Sequence, residues 1–244
     1  MCLIVIAHRV HPEFPLIVAA NRDEFHSRPA LPAHYWPDRP HLLAGKDLQG
    51  GGTWLGVSRV GRFAALTNHR DMRRAPIQGP TRGALVLDAL EREALLPDTS
   101  LFEGFNLIHG PFGALRYHSN VSGEDAPLPL GFHGISNHFL DTPWPKVVSA
   151  QQRLRDLVER GVVSPDALFD LLLDGKTPAD AELPDTGIGL EWERVLGSVF
   201  IRTPTYGTRC STVVLVDRSG LVRFEERTYV PGPLRVEKFN FRIQ

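Results

Sequence analysis

Short apolar runs rich in β-branched residues stand near both ends of the chain, and the amphipathic segments lie between them. Residues 3–7 and 16–20 near the start, and 210–216 and 221–224 near the end, are too short for helices and suit strands. Such a chain closes most simply when the terminal strands share sheets that the middle segments cover. That arrangement is an α+β domain of antiparallel sheets flanked by helices.

The first two runs are separated by residues 8–15, where prolines and polar groups predict a hairpin loop. Residues 25–52 hold prolines at 29, 32, 37 and 40 and histidines at 26, 34 and 41, which predicts a long structured loop. A hairpin follows at 53–58 and 63–67, and another at 105–109 and 114–117. Helical periodicity predicts helices at 81–96, with Thr81 as cap, at 145–160, closed by Gly161, and from Ser164 to about residue 173. Residues 176–190 are polar and turn-rich, and 199–201 reads as a short strand. No repeat or linker divides the sequence, so residues 1–244 are expected to form one domain.

Charge narrows the function classes. Lys and Arg total 27 against 28 Asp and Glu, with a pI near 6.8, so no overall field draws the chain to nucleic acid. Two cysteines argue for free thiols in a reducing cytoplasm rather than a disulfide framework. The apolar start lacks preceding positive charge and is broken by His8, Arg9 and His11, so it does not read as a signal peptide. No run approaches the ~20 apolar residues of a membrane helix, and apart from His8 and His11 no close pair suggests a zinc site.

One thiol stands at position 2. Free cysteine is commonly a small buried hydrophobe, but removal of an initiator methionine ahead of so small a residue exposes a thiol and an α-amine on one residue. The amine, with a pKa of about 7.7–8.0, can take the proton of its own side chain directly or through one water. Nucleophile and base then need an oxyanion donor and something to orient the amine. The stretch Asn21-Arg22-Asp23-Glu24 ends the strand expected to pair with the one that Cys2 begins, with Asn21 and Asp23 on one face and Arg22 and Glu24 on the other. A carboxylate there can hold the α-ammonium, and an arginine can favour the thiolate. Asn68, Asn137 and Arg209 also stand at the ends of apolar runs, where an amide is often only a turn former. Cys210 reads as a packed thiol, and Trp36, Trp54 and Trp144 as core or pocket-wall aromatics.

Met1-Cys2-Leu3-Ile4, Asn21-Arg22-Asp23-Glu24, Gly51-Gly52-Thr53-Trp54-Leu55-Gly56, Thr67-Asn68-His69-Arg70, Ser136-Asn137, the stretch from Leu140 to Lys146, and Tyr206-Gly207-Thr208-Arg209-Cys210-Ser211-Thr212 together resemble the NRDE family, which includes the transport and Golgi organisation protein 2 homologues. The motifs occur in order across nearly the whole chain. The family is similar in turn to N-terminal-nucleophile hydrolases, most nearly the penicillin V acylase and bile salt hydrolase branch. That resemblance implies a four-layer αββα sandwich of two antiparallel sheets. It gives Cys2 the nucleophile's role, Asn68 the oxyanion hole, Asn137 a second site amide and Arg209 a place near the thiol. In the acylases the arginine and aspartate are three residues apart, whereas Arg22 and Asp23 are adjacent, so Asn21, Asp23 and Glu24 all stay open as partners of the amine.

Two functions follow as expectations. One is an N-terminal cysteine hydrolase or acyltransferase for a non-peptide amide or acyl compound, needing no cofactor. The other, implied by the family's links to haem trafficking and lipid homeostasis, is a carrier of haem or a lipid-like ligand, with cysteine or histidine available to iron. Both expect a small-molecule partner. Intact mass of the purified protein is expected to show that Met1 is absent; its retention would exclude the amine relay for that species.

Overall fold

The two apolar runs at the start of the chain pair with each other. In the computed structural model, which describes residues 2–91 and 97–244, β1 (Cys2–His8) and β2 (Leu16–Phe25) form an antiparallel hairpin that sets Cys2 opposite Arg22. The chain then builds a second sheet as a seven-strand meander: β3 (Ala30–Trp36), β4 (Arg39–Asp47), β5 (Leu55–Ser58), β6 (Arg62–Asn68), β7 (Phe105–Pro111), β8 (Arg116–Ser119) and β9 (Asp125–Pro127). α1 (Gly83–Glu91) lies between β6 and β7. β10 (Gly131–Ile135) returns to the first sheet, and α2 (Pro145–Glu159), α3 (Pro165–Leu172) and α4 (Leu190–Leu196) follow. β11 (Tyr206–Val216), β12 (Leu221–Thr228) and β13 (Arg235–Arg242) complete that sheet in the order β10-β1-β2-β11-β12-β13.

Strand alternation makes the layers. Ile4, Ile6, Val18, Ala20, Val214 and Phe224 turn inward to meet Val57, Phe63, Ala65 and Ile108 of the other sheet. The residues between them, Leu3, Val5, Ile17, Ala19 and Val213, pack against Val147, Ala150 and Leu154 of α2 and Leu168 of α3. On the far side, Leu42, Ala64 and Leu107 bury against Leu85, Val86 and Leu90 of α1. The result is the αββα sandwich, with each fully buried aliphatic side chain worth roughly 1.5–3 kcal/mol.

Three local expectations change. Residues 25–52 are not a loop throughout, because β3 and β4 occupy most of them. Their prolines misled the reading: β3 is an edge strand, Pro32 sits where its register with β4 shifts, and Pro40 lies at the start of β4, all places where a missing N–H is tolerated. Thr81 does not cap α1 with its side chain; its hydroxyl donates to the Gly50 carbonyl, while Ala84 N–H bonds the Thr81 carbonyl. Residues 92–96 of that predicted helix lie outside the described residues. Residues 199–201 form no strand, since their backbone groups are taken by Asp174, Thr208 and Asn21.

Glu226 ties the two sheets beside their open end. It projects inward from β12, accepts the Ala33 N–H of β3 at 2.7 Å, and takes the Thr212 hydroxyl at 3.3 Å. Burial pushes its carboxyl up to about 7 against an ordinary 4.5, although both donors favour the charged form. The native state therefore holds a proton that the unfolded chain releases between pH 4.5 and 7, and stability falls as pH rises through that window. Glu226→Gln is expected to stabilise the protein by about 2–3 kcal/mol at pH 8 and to give no gain near pH 4.5, measured by urea unfolding.

Candidate active site

Where β1 begins, the sheets part around a cavity of about 400 Å³. Cys2, Arg22 and Cys210 stand in one row on its wall, because Arg22 of β2 faces Cys2 on one side and Cys210 of β11 on the other. Strands about 4.8 Å apart put the two cysteine Cα atoms about 10 Å apart, beyond disulfide reach. Both thiols are free. Burial raises the Cys2 thiol above its usual range and the charge of Asp23 adds to the rise, while Arg22 and the Asp23 N–H pull the other way. Arginine was expected to favour the thiolate; here desolvation outweighs it, so a base must take the proton. Cys210 is the packed thiol expected, pushed up by burial and by neighbouring Glu226.

The Asn21–Glu24 stretch divides as strand geometry requires. Arg22 enters the cavity and bonds Asp47 at 3.3 Å, and Asp47 also takes Arg28 at 2.7 Å. Burial opposes the charge on Asp47, yet the Gly50 N–H and the Arg28 bond hold its carboxyl below the usual value. Glu24 lies on the same side, where it accepts the Phe25 N–H and approaches Arg28 at 3.8 Å. Asn21 points to the helices instead. Its amide donates to the carbonyls of Leu172 and Val199 at 2.9 and 2.8 Å, and its oxygen accepts the Ser211 hydroxyl at 2.5 Å. Asn21 is thus a buried fastener away from the cavity. Asp23, on the same face at the strand's end, accepts the Thr208 hydroxyl at 2.7 Å and reaches the cavity margin. Burial raises its carboxyl, against the charges of Lys146 and Arg22.

Asn68 ends β6 across the cavity from β1 and contributes to its wall. Asn137 is fully buried behind it: its amide donates to the Asn68 carbonyl at 2.9 Å, and its own carbonyl accepts the Arg70 N–H at 2.7 Å. Ser136 links the pair to β1 by donating to the Cys2 carbonyl at 2.9 Å. Asn137 therefore fixes Asn68 and does not line the cavity. Arg209 occupies a bulge in β11 and donates to the carbonyls of Phe25 and Arg28, closing the turn after β2.

Sequence reasoning passed over Asp47, Arg82 and Lys146. Arg82 lines the cavity and donates to the Gly104 carbonyl at 3.0 Å. Lys146 is a buried cation in the first turn of α2, where an anion is the favoured charge; that mismatch was available in the sequence. Trp54 belongs to the cavity wall, whereas Trp36 is core, with its indole N–H on the Ala44 carbonyl, and Trp144 packs under Arg70. Among the described residues no histidine lines the cavity, and no group of three or more His, Cys, Asp or Glu is placed to hold a metal ion.

The family model described as Transport and Golgi organisation 2 matches residues 1–231. The chain belongs to that family. The Transport and Golgi organization protein 2 homologue of Bos taurus is 38% identical, and that of Homo sapiens 36%, each over the full length of both chains. The Drosophila melanogaster Transport and Golgi organization protein 2 is 29% identical across 93% of this chain and 92% of its own. Among solved structures, an N-acylethanolamine-hydrolyzing acid amidase orthologue from Caenorhabditis elegans superimposes with a TM-score of 0.50 at 13% identity, covering 88% of this chain and 92% of its own. A mutant of conjugated bile acid hydrolase from Clostridium perfringens gives 0.51 at 8% identity, covering 100% and 97%. This member of the Transport and Golgi organisation 2 family thus shares the N-terminal-nucleophile hydrolase fold.

In that family framework the first letter of the Asn21–Glu24 motif has a structural task. Asn21→Ala strands three buried partners and is expected to cost about 2–4 kcal/mol in urea unfolding. A loss below about 0.5 kcal/mol would show that these bonds do not hold the strand to the helices.

Proposed function

We propose that the protein is an N-terminal cysteine hydrolase or acyltransferase acting on a non-peptide amide or related acyl compound. The observation that carries this reading is Cys2 at the first position of β1, on the cavity wall, with Asn68 across the cavity and Asp23 beside it. Loss of Met1 leaves the α-amine on the nucleophile's own residue. The raised thiol makes such a base necessary. As Sγ bonds to the substrate carbonyl carbon, the amine takes the thiol proton and the carbonyl pair moves to oxygen, for which the Asn68 amide on the cavity wall is the candidate donor. Collapse of the adduct leaves a thioester, and the departing amine carries off the proton held by the α-ammonium. Water, deprotonated by the same amine, then adds to the thioester carbon; the C–S bond breaks to give the free acid, and the α-ammonium returns its proton to Sγ. An acceptor amine or alcohol in the place of water makes the reaction a transfer.

The apolar part of the wall, with Leu31, Pro32, Trp54 and Leu66, suits an acyl chain. It also supports the second reading, a carrier for haem or a lipid-like ligand. Against a panel of N-acyl amides and N-acyl amino acids, Cys2→Ser is expected to lose at least ~100-fold in turnover, and Asn68→Ala about 10²–10³-fold in kcat with little change in KM. Turnover indifferent to Cys2→Ser overturns the hydrolase reading. Saturable haem spectra without turnover would favour the carrier.

A further inference from the structure

Lys146 breaks several rules at once. It sits in the first turn of α2 directly after Pro145, where the helix dipole disfavours a cation. Its side chain is almost wholly buried, and among the described residues its Nζ has no hydrogen-bond partner. An unpartnered buried ammonium is costly, and the packing of α2 does not require it, since Val147, Ala150 and Leu154 supply the contact with β1 and β2. A residue that costs stability without a packing return points to function.

The groups around it say which function. Buried Asp23 stands on the face of β2 that α2 covers, where Ile17 and Ala19 of the same strand pack on Val147 and Ala150. Asp23 and Cys2 of β1 draw on the ammonium's charge, Arg70 repels it from the segment after β6, and Glu193 faces it from α4. Tyr206 of β11 faces Asp23, Cys2 and Arg70 in the same region. Arg70 and Glu193 already form a buried ion pair at 2.8 Å, so the carboxylate that the ammonium chiefly compensates is Asp23. Burial lowers Lys146 to about 8, with Asp23 resisting the fall. The lysine is thus largely charged at neutral pH.

The geometry points to Lys146 as a positioning residue for Cys2: its ammonium, behind Asp23, keeps that buried carboxylate ionised to orient the cysteine's amino group while offsetting the carboxylate's pull on the amine proton. Without the lysine, Asp23 takes up a proton and lets go of the amine, or stays charged and drives the amine to ammonium. Either way the thiol loses its base near neutral pH. The loss of a positive charge also raises the thiol itself.

The inference rests on the N-terminal cysteine reading, but its test needs no substrate. The rate of iodoacetamide alkylation is followed from pH 6 to 10 on the Cys2 peptide by mass spectrometry. Lys146→Met is expected to shift the midpoint of that profile upward by about one pH unit, and Lys146→Arg to keep it near wild type. In an Asp23→Asn background the Lys146→Met shift should shrink to the direct effect of the lost charge on the thiol, because the lysine acts chiefly through that carboxylate. Lys146→Gln serves with the same readouts if the methionine variant does not fold. An unshifted profile in the neutral variants, or an equal shift in the Asp23→Asn background, overturns the proposal. Absence of turnover with a shifted profile overturns the hydrolase reading alone and leaves the positioning role standing.

Discussion

The site depends on β2 being hydrogen-bonded along both edges. Paired with β1 on one side and β11 on the other, the strand cannot slip or twist freely, so its side chains alternate strictly between cavity and helices. Arg22 and Glu24 enter the cavity, Asn21 goes behind the sheet to the helices, and Asp23, on Asn21's face at the strand's end, reaches the cavity margin. The same pairing lines up Cys2, Arg22 and Cys210 and brings Thr208 within reach of Asp23. One ladder thereby positions the Cys2 thiol, its neighbouring cation Arg22 and the Asp23 carboxylate.

Burial is the second force at the site, and it works against every charge there. It raises Cys2, Asp23 and Glu226 and lowers Lys146, Arg82 and Arg209. Opposed groups work against that burial: Arg22 and Arg28 on Asp47, Arg70 on Glu193, Lys146 on Asp23. The oxyanion candidate is held differently. Asn68 is fixed through its backbone by Asn137, leaving its side chain for the cavity.

Much of this was legible in the sequence. The terminal hairpin, the C-terminal meander and the helices after residue 145 follow from local periodicity, and the face alternation within Asn21–Glu24 follows from strand geometry. The segment 25–52 was misread because its prolines signal a loop unless the strand is known to be an edge, and edge position is a property of the whole sheet. The seven-residue α4 is too short to show a period. Asn21 and Asn137 end apolar runs beside the cavity, and the family resemblance implies a site role for Asn137, but whether an amide meets a ligand or a backbone carbonyl depends on the partner that folding delivers.

The sequence by itself determined the antiparallel α+β class, the placement of Cys2 at a strand's beginning, and the candidate partners, because side-chain period and strand length are local properties; the four layers followed only from the family resemblance. Tertiary structure decided which residues share the cavity, which hold it together from behind, and that Lys146 is buried. Burial, charge compensation and hydrogen-bond satisfaction are set between separate segments, 193 residues apart for Ala33 and Glu226, and no local pattern carries them.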